Sequence, residues 1–219
     1  MTMTEKQVQA GQAVYSRSML AIYDWLVLRF SNRLIWKCPS RQILALYDRH
    51  VTANHLDVGV GTGYFLDRCR FPNERPRLVL MDLNPNCLDA AARRVARYRP
   101  EIYRANVLDP IGFEGPRFDS ISMTYLLHCL PGTIKTKGAV FRHLVPFLNQ
   151  GGVLFGATLL SAGVQRSPAA KRLMAFYNSK GIFTNDQDDL QGLSAMLSDQ
   201  FTAVTVQVVG CAALFSARR

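Results

Sequence analysis

A glycine-rich turn is the clearest chemical signal in the sequence. The run HLDVGVGTGYFL places Gly59, Gly61 and Gly63 between a strand-like segment and a helix-like one. Glycine lets the chain turn tightly at such a junction and lets a ligand approach bare backbone. Tyr64 stands where a dinucleotide fingerprint would have its third glycine. The GxGxG spacing therefore disfavours a nicotinamide cofactor.

A carboxylate closes the next apolar segment, since LVLMD ends at Asp82. At the end of the second strand of a nucleotide-binding unit, a carboxylate can accept hydrogen bonds from both ribose hydroxyls. The alternative is a turn residue at the strand end, with Asn84 helping to cap the following helix. The glycine turn upstream favours the ribose role.

The polar residues Thr124, Tyr125 and His128 follow a later apolar segment, in TYLLHCLPG. His128 is a candidate general base because imidazole titrates near neutral pH, and a packing role is the alternative. The other histidines lie in helical or strand-entry contexts and are expected to be packing or surface residues: His50, His55 and His143.

Alternating apolar and helical segments from Val51 onward indicate β-α units and a parallel sheet covered by helices. Strands are predicted at 54–58, 77–82, 101–105, 118–123 and 152–159, and helices at 63–70, 86–98 and 134–148. In the tail TAVTVQVVGCAALFSARR, two β-rich segments flank Gly210 and are close enough to pair only as an antiparallel hairpin. The predicted fold is α/β, with a mostly parallel seven-stranded sheet, helices on both faces and an antiparallel C-terminal hairpin.

The length suits a single domain. Its expected parts are a helical cover at 1–50, a cofactor-binding core at 51–160, an insertion over the acceptor pocket at 161–184, and a helix and hairpin at 185–219. Ser40 is a predicted N-cap for RQILALYDRH, and the early aspartates of NDQDDLQGLSAML suit a helix N-terminus. Aromatic residues of the two covers are candidates to line a lid, with packing in the core as the alternative: Tyr15, Tyr23, Trp36, Phe176 and Tyr177.

The composition excludes several classes of protein. Hydrophobic residues make up 48% of the chain and charged residues 19%, which argues against wholesale disorder. The five cysteines form no CxxC pair and the histidines do not cluster, which argues against a disulfide framework and against a metal site. With no secretory signal pattern and no membrane-spanning apolar stretch, the expectation is a reduced, cytoplasmic protein without a membrane partner.

The net charge of +10 is the bulk property that points to a partner. Many arginines lie in RCRFPNERPR and AARRVARYRP, which are predicted outer helices and loops, and they are not expected to alternate with exposed aromatic residues along one stripe. A solvated basic surface is therefore favoured, and a nucleic-acid partner is the alternative. The sequence does not indicate an oligomeric state.

From Val51 to Arg219 the chain resembles the class I S-adenosylmethionine-dependent methyltransferases. LDVGVGTG resembles the first motif of that family, LMDLNP its acidic second motif and ANVLD its third. FDSISMTYLLHCLPG resembles the fourth motif, and LNQGGVLFGATL resembles the turn and fifth strand. The resemblance implies a Rossmann-like enzyme whose cofactor is S-adenosylmethionine and whose product is S-adenosylhomocysteine.

The resemblance also assigns cofactor contacts. It implies that Asp57 and the segment Gly59 to Gly63 hold the methionine portion and that Asp82 holds the ribose. Further expected contacts are Leu83, Val107, Thr124 and Tyr23, the last of which resembles the cofactor-covering tyrosine of many members. Asn106 stands where an aspartate usually contacts the adenine amino group, and Asp109 is an alternative contact or a turn residue.

The acceptor is expected to be a small molecule, methylated on oxygen or nitrogen. The sequence lacks the proline-proline-aromatic tetrapeptide that resembling enzymes use to grip exocyclic amines, and it lacks a proline-cysteine nucleophile, because Cys129 precedes Leu130 and Pro131. His128 is the first candidate for catalysis and Tyr125 the second. The alternatives are an RNA or protein methyltransferase that uses the basic surface and a binding module without turnover.

Overall fold

The computed structural model describes residues 31–219. Seven strands form one sheet in the order β3-β2-β1-β4-β5-β7-β6. The strands are β1 Asn54–Val58, β2 Arg77–Asp82, β3 Glu101–Arg104, β4 Phe118–Thr124, β5 Leu148–Leu159, β6 Ala203–Val209 and β7 Ala212–Arg218. The first five strands pair in parallel, and β7 runs antiparallel to both β5 and β6. The predicted fold class is confirmed.

Helices cover both faces of this sheet. They are α1 Ser40–His50, α2 Tyr64–Arg68, α3 Pro85–Arg94, α4 Ile134–Lys137, α5 Ala139–Leu144, α6 Pro168–Ser179 and α7 Leu190–Ser198. Buried residues of α1, α2, α3 and α6 share one hydrophobic cluster with one face of the sheet. Buried residues of α5 and α7 share a second cluster with the other face. The apolar strands are therefore buried on both sides, as the central strands of a parallel sheet require.

The order of the strands fixes the position of a crevice. From β1 the chain adds β2 and β3 on one side, and then crosses to add β4 and β5 on the other. In open α/β sheets, ligands bind beyond the carboxyl ends of the strands where the order reverses in this way. The expected position is thus beyond the ends of β1 and β4.

Two local predictions are wrong. Ser40 is the first residue of α1 and not its N-cap, which is Pro39, and the Ser40 hydroxyl instead accepts a hydrogen bond from the Asn32 side chain at 2.9 Å. The helix predicted at 134–148 is divided into α4, α5 and a 3-10 turn at Val145–Phe147. Pro146 lacks the N–H that an α-helix interior needs, and β5 already begins at Leu148.

The segment that follows β5 contains an unpredicted helix. Within 161–184, α6 begins after Ser167, whose hydroxyl accepts a hydrogen bond from the Ala170 N–H at 3.1 Å. The expectation of aspartates at the next helix start is confirmed, because the Asp189 side chain caps α7 through the Gly192 N–H at 2.7 Å. Asp188 has a different role, as it forms a buried ion pair with Lys137 at 2.6 Å.

The described residues show three features that bear on partners. Within residues 31–219, no helix is long and apolar enough to cross a bilayer. In the same range, no group of three His, Cys, Asp or Glu side chains is placed to hold a metal ion. All five cysteines are free thiols.

Gly156 provides a test of strand packing. A Cβ at this position of β5 would overlap the Met123 carbonyl of β4 and lie 3.0 Å from the Phe215 ring. Overpacking a core costs about 1–3 kcal/mol and occasionally more. We expect Gly156→Ala to lower the free energy of unfolding by about 3 kcal/mol, measured by urea denaturation.

Gly112→Ala is the matched control for this substitution. The nearest atom to a Cβ there is the Tyr103 hydroxyl oxygen at 3.9 Å, so the free energy of unfolding should stay within about 0.5 kcal/mol of the parent. Equal unfolding midpoints for the two variants would contradict the close approach of β4 and β5.

Candidate functional site

The glycine turn lies directly after β1. Gly59, Gly61 and Gly63 have φ values of 74°, 52° and 72°, in the left-handed region where residues with a Cβ are disfavoured. The Gly59 N–H donates to the Met81 carbonyl at 2.8 Å, which ties the turn to β2. A Cβ at Gly63 would lie 3.0 Å from the Ala91 Cα. The third glycine therefore allows α3 to pack against the turn.

A cavity opens beside this turn, beyond the carboxyl ends of β1, β2 and β4. Most of the predicted site residues line it: Asp57, Gly59, Gly61, Gly63, Asp82, Leu83, Asn106, Val107, Thr124 and Tyr125. Two predicted residues, Asp109 and His128, are not among the residues that line it. Tyr23, together with Tyr15, lies outside the described residues.

Asp57 is buried and accepts two hydrogen bonds on one oxygen. The Tyr47 hydroxyl donates to Oδ1 at 3.0 Å, and the Ser122 hydroxyl donates to the same oxygen. Burial raises the pKa of Asp57 to about 6, while these two hydrogen bonds act to lower it. The sequence analysis did not identify either donor. The signal available for Ser122 was its alternation with Ser120 inside an otherwise apolar strand.

Asp82 lies across the glycine turn from Asp57. Its Oδ1 accepts a hydrogen bond from the Asn84 N–H at 2.8 Å, and the Asn84 side chain in turn caps α3. Desolvation raises the pKa of Asp82 to about 6, and backbone N–H groups that include those of Asn84 and Gly61 act to lower it. Asp82 also lines the cavity. The same carboxylate therefore accepts the hydrogen bond of the turn and forms part of the cavity wall.

The third motif forms a local turn at the cavity wall. The Asn106 side-chain amide donates to Asp109 Oδ2 at 2.8 Å, and its carbonyl oxygen accepts from the Leu108 N–H at 3.2 Å. Both polar ends of the Asn106 side chain thus have partners within the turn. Asp109 orients Asn106, and Asn106 is the residue that lines the cavity.

Tyr125 has an uncommon backbone conformation at the end of β4. Its φ is 59°, which is an outlier for a bulky side chain and a feature that clusters at functional sites. The Tyr125 N–H donates to the Ala157 carbonyl at 2.7 Å, which holds this conformation against β5. Tyr125 lines the cavity, at the position expected from its place after the fourth strand.

His128 is enclosed behind the cavity wall. Its side chain is 3% exposed, and its Nδ1 accepts the Leu159 N–H at 3.2 Å. The Phe183 ring packs edge-on at 4.5 Å between centroids. Burial lowers the pKa of His128 to about 3, so the imidazole is neutral at physiological pH. Among the described residues that line the cavity there is no His, Lys or Arg.

The two segments expected to cover the pocket contribute unequally. No residue of 161–184 lines the cavity. Trp36 is 2% exposed and packs against Phe183, while Phe176 is 52% exposed on the surface. From the first segment, Tyr47 of α1 does line the cavity. Trp36 therefore packs in the core, which is the alternative to a role in lining a lid.

The remaining histidines pack as expected. His143 Nδ1 lies 3.0 Å from the Val107 carbonyl oxygen, and the His50 ring lies 5.6 Å from the Phe155 ring. His55 is fully buried and has hydrogen-bond partners at both ring nitrogens.

Known proteins match this chain over nearly its whole length. A methyltransferase-domain family model matches residues 56–154. The chain is 41% identical to demethylluteothin O-methyltransferase of Streptomyces thioluteus, over 97% of this chain and 93% of that protein. It is 37% identical to the physcion biosynthesis cluster O-methyltransferase of Aspergillus chevalieri, over 96% of each.

A solved structure shares the fold. The complex of DhpI with S-adenosylhomocysteine has a TM-score of 0.71 at 14% identity and covers 99% of this chain and 98% of that one. The sequence relatives show the family, and this structure shows the fold. Together they confirm the predicted enzyme class and the predicted cofactor. The chain belongs to the class I S-adenosylmethionine-dependent methyltransferases.

Proposed function

We propose that this enzyme methylates an acidic hydroxyl group, a phenol or an enol, on a small apolar acceptor. The relatives named as O-methyltransferases support oxygen as the methylated atom. The observation that carries the proposal is the cavity wall, whose described residues include no His, Lys or Arg. Without a base of that kind, the acceptor must release its proton readily by itself.

The cavity has the groups that S-adenosylmethionine requires. The three glycines offer bare backbone, Asp57 and Asp82 offer carboxylates, and Thr124 offers a hydroxyl at the end of β4. We assign the cofactor's α-ammonium group to Asp57 and its ribose to Asp82. The adenine lies between Leu83, Asn106 and Val107 in this assignment.

Positioning carries most of the catalysis in this proposal. When bound, the cofactor would supply a methyl group on a sulfonium, which an ionised acceptor oxygen would attack in line as the C–S bond breaks and S-adenosylhomocysteine leaves. The protein holds the acceptor oxygen against that methyl group and excludes water, which can supply a large part of a rate enhancement. Tyr125 is the candidate contact for the acceptor because it lines the cavity at the end of β4 in a constrained conformation. His128 is assigned a supporting role behind it.

Methyl transfer from labelled cofactor tests the acceptor class. The panel pairs a phenol and a hydroxypyrone with an aliphatic alcohol and an aryl amine of similar size, and adds total RNA. We expect label in the phenol and the hydroxypyrone and little in the aliphatic alcohol, because delocalisation stabilises the conjugate bases of the first two, which lose their protons far more readily than the alcohol. Label confined to RNA or to the amine would contradict the proposal.

Replacing Asp82 tests the ribose assignment. Asp82→Ala should weaken S-adenosylhomocysteine binding by about 1.5–3 kcal/mol, the range for hydrogen bonds to charged groups. The pKa of Asp82 is raised to about 6, so the charged acceptor is present above that pH and affinity should fall as pH drops through it. Calorimetry at several pH values measures both effects.

Asp89→Ala removes an exposed carboxylate of α3 and is the control. If Asp82→Ala binds S-adenosylhomocysteine as well as the parent does, Asp82 is a turn residue only.

Replacing His128 distinguishes a role in proton transfer from a role in stabilising the fold. Because its imidazole is neutral and enclosed, His128→Asn should retain kcat to within about tenfold. It should lower the free energy of unfolding by about 1–3 kcal/mol, through the hydrogen bond to the Leu159 N–H. The pH–rate profile of the parent should show no ionisation that this substitution removes. A loss of about a hundredfold, together with a lost ionisation, would instead identify His128 as the general base.

We also propose a cytoplasmic location. The support is the state of the cysteines, all five of which are free thiols in the structure, as is usual in reducing compartments. Fractionation of cells that express the tagged chain tests this, and recovery in a secreted fraction would contradict it.

A further inference from the structure

A chain of hydrogen bonds runs through the buried core to the cofactor cavity. On β1, His55 is 0% exposed, and its Nδ1 lies 2.7 Å from the Ser120 hydroxyl of β4. Its Nε2 lies 2.8 Å from the Ser122 hydroxyl, also on β4. Ser122 then donates to Asp57 Oδ1, which also accepts the Tyr47 hydroxyl. The chain ends at a residue that lines the cavity, since Asp57 and Tyr47 both do so.

The chemistry of these groups sets the direction of the donors. A hydroxyl has one proton to donate, and Ser122 gives it to the Asp57 carboxylate. The Ser122 oxygen must therefore accept from His55 Nε2–H. Burial lowers the pKa of His55 to about 3, so the imidazole is neutral and has only this one N–H. Its Nδ1 is left as an acceptor for the Ser120 hydroxyl.

The ionisable groups that act on Asp57 are Tyr47 of α1, Asp82 of β2 and Cys69, which follows α2. His55 of β1 is linked to Asp57 through Ser122. Burial holds the pKa of Tyr47 well above its usual value and raises that of Cys69 to about 12, so both are neutral. The charge of Asp82 raises the pKa of Asp57. No described group of opposite charge offsets this, and hydrogen bonds alone favour the ionised form of Asp57.

We propose that His55 and Ser122 are positioning residues of the cofactor site, which hold the Asp57 carboxylate charged and oriented for the α-ammonium group of the cofactor. This inference rests on the assignment of that group to Asp57. His55 fixes the Ser122 proton toward Oδ1, and Oδ1 receives both protein donors. A neutral histidine thus acts on the affinity for a charged ligand without touching it.

The two serines of β4 provide a matched pair of variants. Both are 0% exposed, and both have His55 as a partner. Only Ser122 reaches Asp57, whereas Ser120 leads away to Thr52 at 2.8 Å. Ser122→Ala and Ser120→Ala each remove one hydroxyl and one partner of the same imidazole, so their general effects on the core should be similar.

The ligands form a second matched pair. S-adenosylhomocysteine has the amino-acid group, and 5′-methylthioadenosine has the same adenosine and thioether without it. Calorimetry from about pH 5.5 to 7.5 spans the ionisation of Asp57, whose pKa is about 6. For the parent, affinity for S-adenosylhomocysteine should fall as pH drops through this value, and affinity for methylthioadenosine should depend on pH less.

Of the two serine variants, only Ser122→Ala is expected to shift the pH midpoint of binding, and only with S-adenosylhomocysteine as the ligand. Ser122→Ala should move the midpoint for S-adenosylhomocysteine upward by about one pH unit, because a lost hydrogen bond to the carboxylate raises its pKa. Near pH 7 this lowers affinity about twofold, and the difference from the parent should widen toward about tenfold as pH falls to about 5.5 and narrow as pH rises. Ser120→Ala should keep the midpoint of the parent, and neither serine variant should alter methylthioadenosine binding selectively.

Equal midpoints for Ser122→Ala and Ser120→Ala would overturn the inference, as would a loss of affinity that is the same at every pH. Failure of the parent to bind S-adenosylhomocysteine would instead overturn the cofactor assignment. A further comparison addresses His55 itself. His55→Gln retains an N–H donor for Ser122 and should keep the midpoint, whereas His55→Leu should move it upward as Ser122→Ala does.

Discussion

At the carboxyl end of β1 the backbone takes positive φ at Gly59, Gly61 and Gly63, and the other groups of the site are placed relative to this turn. It hydrogen-bonds to β2 through Gly59 and accommodates α3 at Gly63. The sheet reverses its strand order between β1 and β4, which leaves space beyond the turn. A residue with a Cβ would be strained by the positive φ at each of these positions, and at Gly63 its Cβ would also press against Ala91 of α3.

The site places two carboxylates in a poorly solvated wall. Asp57 and Asp82 each have a pKa raised to about 6 by desolvation, and the charge of Asp82 adds to the effect on Asp57. Hydrogen bonds from Tyr47, Ser122 and backbone N–H groups oppose that rise. A cationic ligand that binds between such groups gains from electrostatic interactions that water screens little. The same desolvation makes the charge state of the site sensitive to mildly acidic pH.

In the proposed assignment, the acceptor side of the cavity differs from the cofactor side. Its described wall has Tyr125 and Cys129 among apolar residues, and the nearest imidazole, His128, is turned into the core where it supports β5. Such a wall can orient an apolar ring but has little means of removing a proton. The chemistry of the acceptor and the polarity of the wall are thus linked, and a readily ionised hydroxyl suits both.

The sequence by itself determined the fold class and the glycine turn, because these depend on local patterns: apolar periodicity and glycine where φ must be positive. It indicated the cofactor through the resemblance of its ordered motifs to those of the methyltransferase family. The tertiary structure decided which polar side chains meet. His55 and Ser122 are distant in sequence, and their contact depends on the register of β1 against β4. Burial likewise decided the state of His128, because the ionisation of an imidazole depends on the dielectric around it, which no local pattern of residues specifies.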